Sequence, residues 1–184
     1  VLDRTHVRRL AVLLCAAGLW LADSSPSHAA DLKRRTEPAP SFVLPSLGGS
    51  EMDLDTLRGR VVVVHFFATW CEPCREELPA LQRLVARSGQ QRVAVLAISV
   101  ADIELRVRRF FQSTPVDFPI LLDQDRKAAR AWNISELPST VILDADLRPR
   151  LAAEGEFAWD QIDPRALVEM LDPNHTDPNV QPAH

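Results

Sequence analysis

Phe66-Phe67-Ala68-Thr69-Trp70-Cys71-Glu72-Pro73-Cys74-Arg75-Glu76-Glu77-Leu78-Pro79 is the stretch on which the fold turns. Just upstream, Val61 to Phe67 is a near-continuous run of β-branched and aromatic residues, the pattern of a central strand covered on both faces. Downstream, Leu78, Leu81, Leu84 and Val85 fall on one side of a helix. That helix is expected to follow Cys71, to kink at Pro79 and to end at Ser88-Gly89. The two cysteines therefore stand at a strand-to-helix junction. Unpaired backbone N–H groups and the positive end of the helix dipole stabilise a thiolate there, and the thiolate is the nucleophile of disulfide exchange. The second cysteine, one turn away, can release a mixed disulfide by intramolecular attack. A permanent disulfide and half of a zinc site are the other uses of this spacing. Zinc needs further ligands, and beyond residue 29 the chain offers no other Cys and only His65, His175 and His184.

Outward from this junction, strands and helices alternate. Phe42-Val43-Leu44, the Gly48-Gly49 turn and Met52-Asp53-Leu54 read as a hairpin. Val93 to Val100 reads as a second buried strand, Ile103 to Gln112 as a helix with Leu105, Val107, Phe110 and Phe111 apolar, and Phe118 to Leu122 as a short strand. Asp123 to Trp132 reads as a helix capped by Asp123 or Asp125. Thr140 to Leu143 and Leu151 to Glu156 pair as strands around a turn near Asp146, and Asp163-Pro164 opens a last helix through Met170. The order implies an α/β fold, a mixed sheet with helices on both faces.

The front of the chain reads as an export signal. Arg4, Arg8 and Arg9 precede an apolar run from Leu10 to Ala22, followed by Asp23-Ser24-Ser25-Pro26 and the small-residue site Ser27-His28-Ala29. Cleavage is expected after Ala29, making 1–29 a signal peptide. An uncleaved anchor is the weaker reading, since a run that short reaches only about 20 Å of a bilayer core of about 30 Å. Cys15 lacks the small residue before it that a lipid-modified cysteine needs. Residues 30–41 read as a charged, Pro-containing linker and 173–184 as a flexible tail. The whole chain has 184 residues and a net charge of −4, so about one domain remains after the leader. An apolar fraction of 46% is enough for a core, which excludes wholesale disorder. The acidic balance argues against nucleic acid as a partner, although Lys and Arg together number 21. Export implies an oxidising compartment, a bacterial periplasm, where Cys71 and Cys74 drift to a disulfide unless something reduces them.

The Val61–Pro79 segment resembles the TlpA/ResA/CcmG group of exported thioredoxin-like thiol–disulfide oxidoreductases, and the match continues from about Phe42 to Leu171. It includes the hairpin with Gly48-Gly49, Phe118-Pro119-Ile120-Leu121-Leu122-Asp123, and Leu137-Pro138-Ser139-Thr140-Val141-Ile142-Leu143-Asp144. The resemblance implies a thioredoxin-like domain over 42–172 with an N-terminal β-hairpin. It also implies an inserted helix and strand between the Val93 strand and the Pro138 loop. By resemblance Pro138 is the cis-proline facing the site, Glu77 is an acid–base or tuning group for the thiols, and Trp70 shapes the docking surface. It further implies an oxidised substrate protein, a membrane thiol reductant as electron donor, and no cofactor beyond the Cys71–Cys74 couple. A cytochrome c precursor or the copper-site cysteines of a respiratory oxidase are the substrates it points to. A monomer is expected.

Glu72, between the cysteines and next to Pro73, is expected to act with Glu76 and Glu77 to repel a Cys71 thiolate and favour a reductant. His65 departs from the pattern: thioredoxin carries a buried Asp there and this group commonly Asn. A neutral His could help move a proton, but a satisfied core histidine is the plainer reading. Glu136 approaches the site from the facing loop, and Trp132 and Trp159 are expected in the core. Two other classes compete with the reductase. A peroxiredoxin-like peroxidase wants Thr or Ser three residues before its reactive Cys, where this chain has Ala68. A copper-binding module would use the thiol pair without thioether support, since the only methionines are Met52 and Met170.

Overall fold

The computed structural model describes residues 31–88 and 92–171. The expected signal peptide and tail lie outside the described residues. Eight strands, β1 (Lys33–Arg34), β2 (Val43–Pro45), β3 (Glu51–Asp53), β4 (Val61–Phe67), β5 (Val93–Val100), β6 (Ile120–Asp123), β7 (Ser139–Leu143) and β8 (Pro149–Glu154), alternate with four helices. These are α1 (Glu72–Ser88), α2 (Glu104–Ser113), α3 (Lys127–Ala131) and α4 (Pro164–Met170). Six strands form one mixed sheet in the order β1-β8-β7-β4-β5-β6, with β4, β5 and β6 parallel and β7, β8 and β1 antiparallel. The β2–β3 hairpin stands at the β6 edge, joined by a Ser46–Leu121 bridge.

All seven residues of β4 are buried, as expected of a strand covered on both faces. Val61, Val63 and Phe67 pack against Leu78, Leu81, Leu84 and Val85 of α1 and Leu167 of α4. Val62, Val64 and Phe66 point the other way, against Ala129, Trp132, Leu54 and Leu57. Period-two alternation thus sends His65 to the α1 side. Burying a side chain of this size stabilises the fold by about 2 kcal/mol, so this sandwich sets the frame for the junction.

Several expectations need correction. Segment 30–41 is no free linker: β1 pairs Lys33 with Ala152 and Arg34 with Leu151, Arg35 donates to the Trp132 carbonyl, and Trp132 Nε1 donates to Pro40 O at 2.8 Å. The Asp123–Trp132 helix shrinks to Lys127–Ala131 because Asp123 is the last residue of β6. Its carboxylate instead accepts the N–H groups of Ala128 (3.1 Å) and Ala129 (2.8 Å), with Arg126 left-handed at φ 61°. Asp125 caps as well, accepting Lys127 N–H at 3.2 Å. On α2 only Val107 is buried; Leu105 faces out, because i, i+3 and i+4 from Val107 select Phe110 and Phe111 and leave Leu105 off that face. Helix α4 begins as expected, with Asp163 accepting Arg165 N–H at 2.9 Å and Pro164 in the first turn. Helix α1 continues through Pro79 to Ser88.

Candidate active site

Cys71 directly precedes α1, and its carbonyl accepts the Arg75 N–H at 3.3 Å. Its Sγ accepts the Cys74 N–H at 3.3 Å, so the sulfur occupies the place of a capping oxygen at the helix N-terminus. The two cysteines, with Cα atoms 5.3 Å apart, are joined in a disulfide. Their exposure differs: Cys71 keeps 7% of its surface open and Cys74 none. Of the pair, Cys71 alone has surface open to an approaching group. Trp70, 63% exposed, stands beside Cys71. Pro73 is half-buried within the first turn and Glu72 is exposed. The Leu137–Pro138 bond is cis, and Pro138 is buried. Glu136 is exposed, and with Trp70, Val100, Arg126, Ile134 and Leu137 it lines a hollow of about 200 Å³.

Glu77 is 3% exposed and faces the interior one turn beyond Cys74. Its Oε1 accepts the Phe157 N–H and its Oε2 the Trp159 indole N–H, each at 2.7 Å. Burial pushes its carboxyl up from 4.5 to about 7, against the two hydrogen bonds, with the neighbouring Glu156 charge adding to the rise. His65 Nδ1 shares a hydrogen bond of 2.9 Å with Thr140 Oγ1 and lies 3.6 Å from Glu77 Oε2. His65 Nε2 is buried with no hydrogen-bond partner among the described residues, so His65 is not the satisfied core histidine expected. Burial lowers its pKa to about 3 and keeps it neutral. Trp159 is core, as expected, but it also serves Glu77, a role no local pattern announces across 82 positions.

The expectation of three fixed negative charges beside the thiols is corrected. Glu77 is half protonated near neutral pH, and Glu72 meets Arg75 at 3.4 Å. Sequence reading also missed Asp102, whose buried carboxylate accepts the Thr69 N–H at 2.7 Å two residues before Cys71. Its place just past the C-terminal end of a parallel strand, where α/β folds gather their sites, is the signal that could have found it.

A disulfide at a helix N-terminus, with one cysteine partly open and one hidden, on a thioredoxin-like sheet whose β7 is preceded by a cis-proline, defines a dithiol–disulfide exchange protein. Residues 36–148 match the AhpC/TSA family. The thiol-disulfide oxidoreductase ResA of Bacillus subtilis (strain 168) is 32% identical over 137 residues, which are 74% of this chain and 76% of that protein. ResA of Geobacillus kaustophilus (strain HTA426) is 33% identical over 125 residues, 68% of this chain and 72% of that protein. Among solved structures, a putative thiol:disulfide interchange protein DsbE from Chlorobium tepidum aligns with a TM-score of 0.64 at 25% identity, covering 74% of this chain and 94% of that one. The chain belongs to the AhpC/TSA family and, within it, to the ResA-like thiol–disulfide oxidoreductases. Its activity is thiol–disulfide exchange with protein substrates.

Proposed function

We propose that the chain is an exported reductant of protein disulfides, working in a periplasm-like compartment. The observation that carries this reading is the contrast between reachable Cys71 and hidden Cys74 at the start of α1. In the reduced protein the Cys71 thiolate attacks one sulfur of a substrate disulfide, forming a Cys71–substrate bond and expelling the other substrate sulfur as a thiolate. Cys74 then loses its proton, and Glu77, on the same face one turn on, is the group we assign to take it. The Cys74 thiolate attacks Cys71 Sγ and releases the second substrate thiolate. Two electrons have passed to the substrate, and the Cys71–Cys74 disulfide remains. A membrane thiol pair is the donor that reduces it again, and no cofactor beyond the couple is required.

The reducing direction is supported by Arg75, the cation nearest in sequence, whose guanidinium is engaged by Glu72 and the Phe110 ring. By family resemblance the substrate is a cytochrome c precursor or a copper-site dithiol. Two measurements test the reading. The reduction potential of the couple should lie near or below about −270 mV; a value near about −120 mV would make the protein an oxidant. Cys74→Ser should trap a mixed disulfide with the substrate protein, and normal turnover by that variant would refute the resolving role of Cys74.

A further inference from the structure

Helix α2 meets the dithiol motif at both ends. Asp102 sits between β5 and α2, after left-handed Ala101 (φ 56°), with its carboxylate fully buried. Its Oδ2 accepts the Thr69 N–H at 2.7 Å and the Ser99 hydroxyl at 3.3 Å, and its Oδ1 accepts the Thr69 hydroxyl at 3.0 Å and an Arg106 N–H at 3.4 Å. Thr69 is the second residue of a turn closed by Cys71 N–H donating to Ala68 C=O at 3.1 Å. The residues that follow Thr69 in this turn are Trp70 and Cys71. At the other end of the motif, the Arg75 guanidinium lies 5.6 Å from the centre of the Phe110 ring, which fixes α2 against the first turn of α1.

A buried carboxylate is costly unless its lone pairs are met, and this one meets four donors. Two of the four come from Thr69, the second residue of the nucleophile's turn. Stabilising α2 alone would not require that; Ser99 and Arg106 already join the strand and the helix to Asp102. We propose that Asp102 is a positioning residue for thiol–disulfide exchange: by locking Thr69 it sets the Ala68–Cys71 turn and so aims Cys71 at the incoming disulfide. This rests on the exchange activity alone and is independent of the direction of electron flow.

The test uses the reduced protein as D102A, D102N and T69V variants. Three quantities are measured: alkylation of Cys71 by iodoacetamide, the initial rate of insulin disulfide reduction, and thermal unfolding. D102A should lower both rates by about tenfold to a hundredfold in protein that stays folded, the scale of a small misplacement of a reacting group. D102N keeps a carbonyl acceptor for the Thr69 N–H without the charge, and should stay within about threefold of the parent. If D102N falls as far as D102A, the carboxylate acts through its charge and the positioning role is overturned. Rates unchanged in folded D102A overturn it as well, whatever happens to Tm. Should D102A not fold, T69V decides: it loses the hydroxyl bond alone and should slow both rates by about threefold, whereas unchanged rates would refute the proposal.

Discussion

Separating Glu77 from His65 should expose two opposite pH dependences that cancel in the parent protein. In the unfolded chain the two groups titrate near 4.5 and 6.5, and in the folded chain near 7 and 3. Between about pH 4.5 and 6.5 the unfolded chain holds one proton on His65 and the folded protein holds one on Glu77. Equal proton counts give no slope. In E77Q only His65 remains; it is neutral when folded and charged when unfolded, so stability falls as pH drops through that window. In H65L only Glu77 remains; it is protonated when folded and ionised when unfolded, so stability falls as pH rises from about 4.5 to about 7. Each slope is worth about 1.4 kcal/mol per pH unit, hence roughly 3 kcal/mol across the window. The assay is urea unfolding of the oxidised protein at several pH values and constant ionic strength, with the m-value checked for constancy. Subtracting the parent curve removes the exposed carboxylates, Asp55, Asp125 and Asp160 among them, whose pKa values are lowered by surface partners. Variant curves that run parallel to the parent within about 0.5 kcal/mol would refute the opposite shifts assigned to Glu77 and His65.

Two further outcomes follow from individual hydrogen bonds. W159F keeps an aromatic ring but loses the indole donor to Glu77 and part of the buried volume, so beyond a pH-independent cavity cost it should lose about 1–2 kcal/mol more above pH 7, where the carboxylate is ionised, than at pH 5; an equal loss at both would contradict the role given to the indole. D123A removes the acceptor for the first amides of α3 and should cost about 1–2 kcal/mol in urea unfolding, and a loss under about 0.5 kcal/mol would mean that Asp125 alone caps the helix.

Where burial follows from an unbroken local pattern, sequence and structure coincide. Val61–Phe67 and Val93–Val100 are strands to the residue, because short apolar runs rich in β-branched residues suit a strand covered on both faces. The C-x-x-C junction and the Pro164 helix start were legible too, through motifs that carry their own backbone geometry, and the cis bond at Pro138 through the family resemblance. What escaped depends on partners far along the chain. The carboxylate of Asp123 could serve as an ordinary helix cap or as the end of a strand, and only pairing of β6 with β5 decides between them. Resemblance singles out Glu77 as a tuning group, but its burial is not legible, because Phe157 and Trp159, which close over it, come from far along the chain. Two residues, Lys33 and Arg34, are too few to show a strand pattern, and β8 supplies the order they lack.

Both rims of the central sheet are occupied. On one side the final rung is a pair of charged, exposed residues on β8; on the other, the Gly48-Gly49 hairpin is bridged to β6. An open rim would be a template for any extended chain, and it would grip by backbone alone, without regard to sulfur. A reductant of the kind proposed must meet other polypeptide chains as substrates. With its rims blunted, it can visit another chain at the disulfide and leave, and its encounters are sorted by the chemistry of a bond instead of the stickiness of a strand.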